Sequence, residues 1–139
     1  MKHYINMALL YAILAMGGGV FYREFTKYND FTAQTALKAV HTHYFLLGMV
    51  FFLLLLLLEK NFSFTSVKTQ RALLAYHIGL NLTVAMLVVR GVPQVLGTTL
   101  SSSISVAISG VSGIGHIVLG VSLVYLLMQI KQSVLGTKV

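Results

Sequence analysis

Four stretches of the chain are almost wholly apolar, and each is closed off by charged residues. The first runs from about Tyr4 to Tyr22 (4–22) and stops at Arg23-Glu24. The second runs from about Ala39 to Leu58 (39–58), carries consecutive leucines from Leu53, and stops at Glu59-Lys60. The third, about Ala72 to Val89 (72–89), lies between Arg71 and Arg90, and the fourth, about Ser105 to Ile130 (105–130), is stopped by Lys131. A helix needs about 20 mostly apolar residues to cross the hydrocarbon of a bilayer. Only helices and closed barrels satisfy their backbone there, and uninterrupted apolar runs lack the alternation of barrel strands. The pattern predicts an all-α protein, an integral membrane four-helix bundle, with 1–139 forming a single transmembrane domain in contact with the lipid bilayer.

Composition agrees with that reading. Hydrophobic residues make up 57% of the chain and charged residues 9%, against roughly 25% charged in soluble domains. The absence of cysteine excludes disulfides, iron–sulfur clusters, thiolate zinc sites and covalently attached c-type haem. The net charge of +7 comes from ten Lys and Arg that never form a run. Flanking cations of a membrane protein account for them, and nucleic acid is not an expected partner. Met1-Lys2-His3 before an apolar stretch has the look of a signal peptide, but no convincing small-x-small cleavage site follows. The segment is therefore expected to stay as the first span.

The connecting segments predicted from this pattern are 23–38, 59–71 and 90–104, the last holding the only proline, Pro93. Lys2, Lys60, Lys68, Arg71, Lys131 and Lys138 fall on one side; Arg23, Lys27, Lys38 and Arg90 fall on the other. Because cytoplasmic loops carry the excess of Lys and Arg, both termini are expected in the cytoplasm, with the protein in the cell membrane as a multi-pass chain.

Ionisable groups inside hydrocarbon are costly and mark function. His41 and His43 lie on span two, His77 on span three and His116 on span four. His43 is 16 residues before Glu59, and His116 is 15 residues before Lys131. Spans two and four run in the same direction, so both sit about 22–24 Å from the cytoplasmic helix ends at about 1.5 Å per residue. Two neutral imidazoles at one depth suit axial ligation of a b-type haem standing upright in the membrane. His77, six residues past Arg71, lies deeper, about 9 Å from the same side, and suits a second site. Asn81 continues its face. His41 and His43, two positions apart, point about 200° away from each other. On span four Ser105, Ser109, Ser112 and His116 recur at helical spacing, flanked by Gly113, Gly115 and Gly120. Small residues there let a helix or a flat cofactor come close. Arg90, at the outer end of span three, is the best-placed partner for an anionic propionate. His43 is the leading ligand, with His116, His41 and His77 as further candidates for haem b and also for copper. The protein would transfer electrons to or from an external redox partner, or sense haem or a small gas. Two other functions fit the residues: a site or path for a divalent metal such as copper or zinc, and a scaffold or accessory subunit whose histidines only pack.

The segments His41-Thr42-His43-Tyr44-Phe45-Leu46-Leu47-Gly48, Tyr76-His77-Ile78-Gly79-Leu80-Asn81, Val89-Arg90-Gly91-Val92 and Gly113-Ile114-Gly115-His116 resemble an uncharacterised family of small bacterial four-span membrane proteins. A more distant likeness is to subunit I of the haem-copper oxidases, a ring of twelve helices in three arcs of four. His41-Thr42-His43 is similar to the His-x-His of that ring, whose two members serve different haems. Arg90 is similar in place to its propionate-binding arginines, and His77 to its copper-binding histidines. The likeness implies a homo-oligomer, three copies building an oxidase-like core of twelve helices. It does not imply oxygen reduction or proton pumping, because span three lacks paired histidines and no His-Pro-Glu-Val-Tyr pattern is present.

Overall fold

A computed structural model describes residues 1–136, so Lys138, counted above among the cytoplasmic cations, lies outside the described residues. The chain forms α1 (Lys2–Tyr28), then a continuous second span made of α2 (Lys38–His43), a π-helical segment (Tyr44–Val50) and α3 (Phe51–Phe62), then α4 (Val67–Val95) and α5 (Ser102–Val134). Four helices are thus long and apolar enough to cross a membrane.

All four outrun the apolar stretches that predicted them, because a helix has no reason to end where hydrophobicity does. α1 continues through Arg23 and Lys27 to Tyr28, and α5 begins at Ser102. Span three is corrected most. It starts at Val67, where the Ser66 hydroxyl accepts from the Thr69 amide (3.2 Å) and caps the helix. It ends at Val95, so Pro93 lies inside the helix and not in a loop. The ring removes one backbone donor, which is tolerated two residues before the helix ends. Span two differs in kind, since seven of its residues follow the wider π geometry.

The first residues of α1, the 63–66 turn and the end of α5 share one end of the bundle. The Tyr4 hydroxyl meets Thr65 Oγ1 at 2.7 Å, and the Ser133 hydroxyl donates to the Phe62 carbonyl. At the opposite end the 29–37 connection is tied to α4: Thr35 donates to the Gly91 carbonyl at 3.1 Å, and the Ala36 amide donates to the Gln94 side chain at 2.8 Å. The core runs along the bundle through Tyr4, Tyr11, Phe52, Leu55, Tyr76, Leu80, Val84, Leu119 and Leu126. Large side chains such as Leu54, Leu57, Ile78, Ile117 and Val121 point away from the protein, as helices bathed in lipid require.

The closest helix pair is α4 against α5, and glycine makes it possible. A Cβ on Gly79 would stand 2.6 Å from the Leu119 amide nitrogen, and one on Gly115 would stand 2.9 Å from the Thr83 hydroxyl. Without a hydrophobic force between helices in lipid, such backbone approach supplies the association energy. Gly79→Val is therefore expected to destabilise the bundle by about 1–3 kcal/mol through overpacking. Gly17→Ala, where an added Cβ meets nothing within 4 Å, is expected to leave the detergent melting temperature unchanged or raise it. Thermal unfolding of both purified variants checks the pair.

Candidate functional site

Span two carries His43 at the last position of α2, and α5 carries His116 near its middle. The bundle brings these two rings together from different helices, with centroids 6.3 Å apart and planes at 86°. Counted from the ends of α3 (Phe62) and α5 (Val134), both lie about 27–28 Å along their helices at about 1.5 Å per residue.

Each ring is held by its own helix in the same way. His43 Nδ1 lies 2.8 Å from the Ala39 carbonyl oxygen, and His116 Nδ1 lies 2.8 Å from the Ser112 carbonyl oxygen. A carbonyl only accepts, so both rings carry their proton on Nδ1. That leaves each Nε2 with a free lone pair, which is the tautomer a histidine adopts when its other nitrogen ligates a metal. Nitrogens at about 2.0–2.1 Å on either side of one metal centre put imidazole centroids roughly 6 Å apart, close to the separation seen here.

The surroundings of the pair are open on the α5 side. Ser105, Ser109, Ser112, Gly113 and Gly120 fall on the His116 face by helical spacing. Added Cβ atoms at Gly113 and Gly120 would meet nothing within 4 Å. Arg90 reaches across from α4 to this face: its Nη2 donates to Ser109 Oγ at 2.6 Å and lies 3.5 Å from the Ser105 carbonyl. Ser109 is seven residues from His116, about 10 Å along the helix. Arg90 has no acidic partner among the described residues, where the ion pair present is the exposed Arg23–Glu24.

The other two candidates stand elsewhere. His41 turns away from His43 and rests against α1, where a Cβ on Gly19 would lie 3.7 Å from its own Cβ; its Nδ1 is buried without a partner. His77 faces Tyr11, whose hydroxyl is 2.6 Å from Nδ1, and stacks on Phe52 at 4.9 Å. Among the described residues no group of three or more His, Cys, Asp or Glu is placed to hold a metal ion.

Sequence reasoning passed over the tyrosines that complete the His77 region. Asn81 Nδ2 donates to the Tyr11 oxygen at 3.1 Å and to the His77 carbonyl at 2.8 Å, while its Oδ1 accepts from Tyr44 at 3.0 Å. The signal was present as tyrosines inside apolar runs, since a buried phenol needs a partner. Asn81→Leu is expected to cost about 1–3 kcal/mol, because Tyr44 loses its acceptor and Tyr11 a donor. Tyr44→Phe should cost less, since it removes one hydrogen bond where Asn81→Leu removes those to both tyrosines. Unfolding of the two variants in detergent gives the comparison.

Residues 1–133 match the family described as a protein of unknown function, DUF2871. No curated protein and no solved structure matches the chain.

Proposed function

The chain belongs to the DUF2871 family of unknown function, and from that premise we propose that it is a membrane b-type haem protein with His43 and His116 as its two axial ligands. One observation carries the reading: two imidazoles from different helices lie with centroids 6.3 Å apart, both Nδ1 protons committed to backbone carbonyls and both Nε2 lone pairs free. A haem supplies four nitrogens of its own, so two protein ligands suffice. A bare zinc or copper ion wants three or four, and no such group occurs among the described residues. The divalent-metal alternative is therefore weaker.

The remaining residues take roles suited to that group. The serine and glycine face of α5 leaves room for a flat ring beside His116. Arg90 offers its guanidinium to a carboxylate at one end of that face. His41 and His77 are set aside as ligands, His41 because its ring lies on α1 and His77 because it stacks on Tyr11 and Phe52, away from the other two rings. When bound, haem would supply a one-electron couple, and with His43 and His116 both holding its iron the chemistry would be electron transfer and not gas binding.

The same proposal places the protein in the cell membrane with its termini in the cytoplasm, on the Lys and Arg excess around the Lys60, Lys68 and Arg71 end. It also includes a homotrimer similar to the twelve-helix oxidase core. His116 is exposed in a single chain, so lipid or a neighbouring copy would cover that side.

Expression in haem-replete cells and absorption spectra of the purified protein test the reading. A Soret band is expected, with a reduced spectrum that carbon monoxide leaves unchanged. His43→Ala or His116→Ala should abolish the band or open it to carbon monoxide, while His41→Ala and His77→Ala should retain it. A colourless wild type, or a band that survives loss of both His43 and His116, overturns the proposal.

A further inference from the structure

The hydrogens around Tyr11 can be counted. Asn81 is fixed in orientation because its Nδ2 reaches the His77 carbonyl and its Oδ1 accepts from Tyr44. Its Nδ2 also donates to the Tyr11 oxygen. Tyr11 has one proton of its own, and the acceptor within reach is His77 Nδ1 at 2.6 Å. If His77 donated instead, the Tyr11 proton would be left without an acceptor. Neutral His77 therefore carries its proton on Nε2, the reverse of His43 and His116. That Nε2 is buried and has no partner. Its ring is covered on a face by Phe52, and the His3 ring stands edge-on at 6.2 Å. A buried donor without a partner calls for an acceptor from outside the chain.

His77 lines a half-open cavity of about 500 Å³ at the end of the bundle where α1 begins. His3, Tyr4 and Gln70 give it polar groups, while Leu73 and Leu74 line its apolar side. Leu74 is 62% exposed on the lipid-facing surface, so the cavity is within reach of a ligand lying in the membrane. Glu59 also borders it and disfavours an anionic occupant such as a fatty-acid carboxylate. A metal ion is disfavoured too, since the nitrogen it would need is protonated. A neutral oxygen acceptor on a flat, lipid-soluble body meets all of these conditions.

We propose that this cavity binds the head of a membrane quinone, one carbonyl oxygen accepting from the His77 Nε2–H that the exposed His3 ring uncovers as it turns aside, and the tail leaving past Leu74. Tyr11 is a positioning residue: it fixes the His77 tautomer without touching the ligand. The site stands on the hydrogen count and the cavity, independently of the haem reading, and haem content does not enter its test.

Isothermal titration of the purified full chain with decylubiquinone, with empty micelles as blank, measures binding directly. Saturable one-to-one binding is expected. His77→Phe should weaken it at least tenfold, and Tyr11→Phe should weaken it in the same direction because the imidazole proton is then free to move to Nδ1. Leu74→Trp narrows the mouth from the lipid side, where folding tolerates it, and should also weaken binding. Ile78→Trp, a lipid-facing change outside the cavity, should leave affinity unchanged. No saturable binding by the wild type overturns the proposal. So does unchanged affinity in both His77→Phe and Leu74→Trp, or decanoate binding as tightly as the quinone with the same dependence on His77.

Discussion

An imidazole inside hydrocarbon has two ring nitrogens and no water for either, so the partner of one nitrogen dictates what the other can do. In His43 and His116 the partner is the carbonyl one turn back on the same helix. An α-helix offers that acceptor to every histidine, and accepting is all it can do. The consequence is a protonated Nδ1 and a basic Nε2 directed away from the helix. In His77 the partner is a phenol from α1 whose oxygen is already occupied by Asn81, and the consequence is inverted. One residue type thus provides a lone pair at one level of the bundle and an N–H at another, with no change in charge.

Span two makes this division possible. A π segment closes its hydrogen bonds one residue later than an α-helix, so the seven residues from Tyr44 to Val50 rotate α2 relative to α3. His43 can then face α5 while Phe52 and Leu55 still point into the core. The segment is supported from both sides. Tyr76 donates to the Leu47 carbonyl at 2.7 Å, and Gly48 makes room for Tyr11, since a Cβ there would lie 2.5 Å from the Tyr11 ring. The ring that orients His77 is therefore seated on the segment that orients His43.

The four helices were legible because hydrocarbon admits so few backbone solutions that apolar length alone identifies them. Their ends were not, since the interfacial turns around Tyr28, Val67 and Ser102 are polar and helical at once. The depth match of His43 and His116 followed from counting back from Glu59 and Lys131, which works because parallel helices share a rise. The π segment left no such mark: Tyr44–Val50 reads as an ordinary apolar stretch, and its cause lies in Tyr11 and Tyr76 on other helices. Pro93 misled for the opposite reason. It is a strong local signal for a break, yet α4 continues two residues past it because Thr35 and Gln94 tie that turn to the 29–37 connection. The Tyr11–Asn81–Tyr44 set was hidden because tyrosine counts as apolar in the pattern that finds spans.

The register of α4 against α5 sets the distance between the two imidazole environments. Gly79 packs on Leu119, and Gly115 packs on Thr83, so His116 lies near the level of residues 82–83 on α4. His77 is five or six residues away from that level, roughly 8–9 Å along the helix axis. The interval contains the buried Leu80 and the hydrogen bonds that tie Asn81 to Tyr11 and Tyr44. A group held by the paired Nε2 atoms and a ligand held by the His77 N–H would be near neighbours across a short gap. Electrons cross such a gap readily, whereas protons require a chain of donors and acceptors that can reorient. Asn81 cannot serve in that chain, because both ends of its amide are already fixed. With the proposed haem and quinone both bound, electrons would pass along the bundle while protons would stay at the end where His3 and His77 stand.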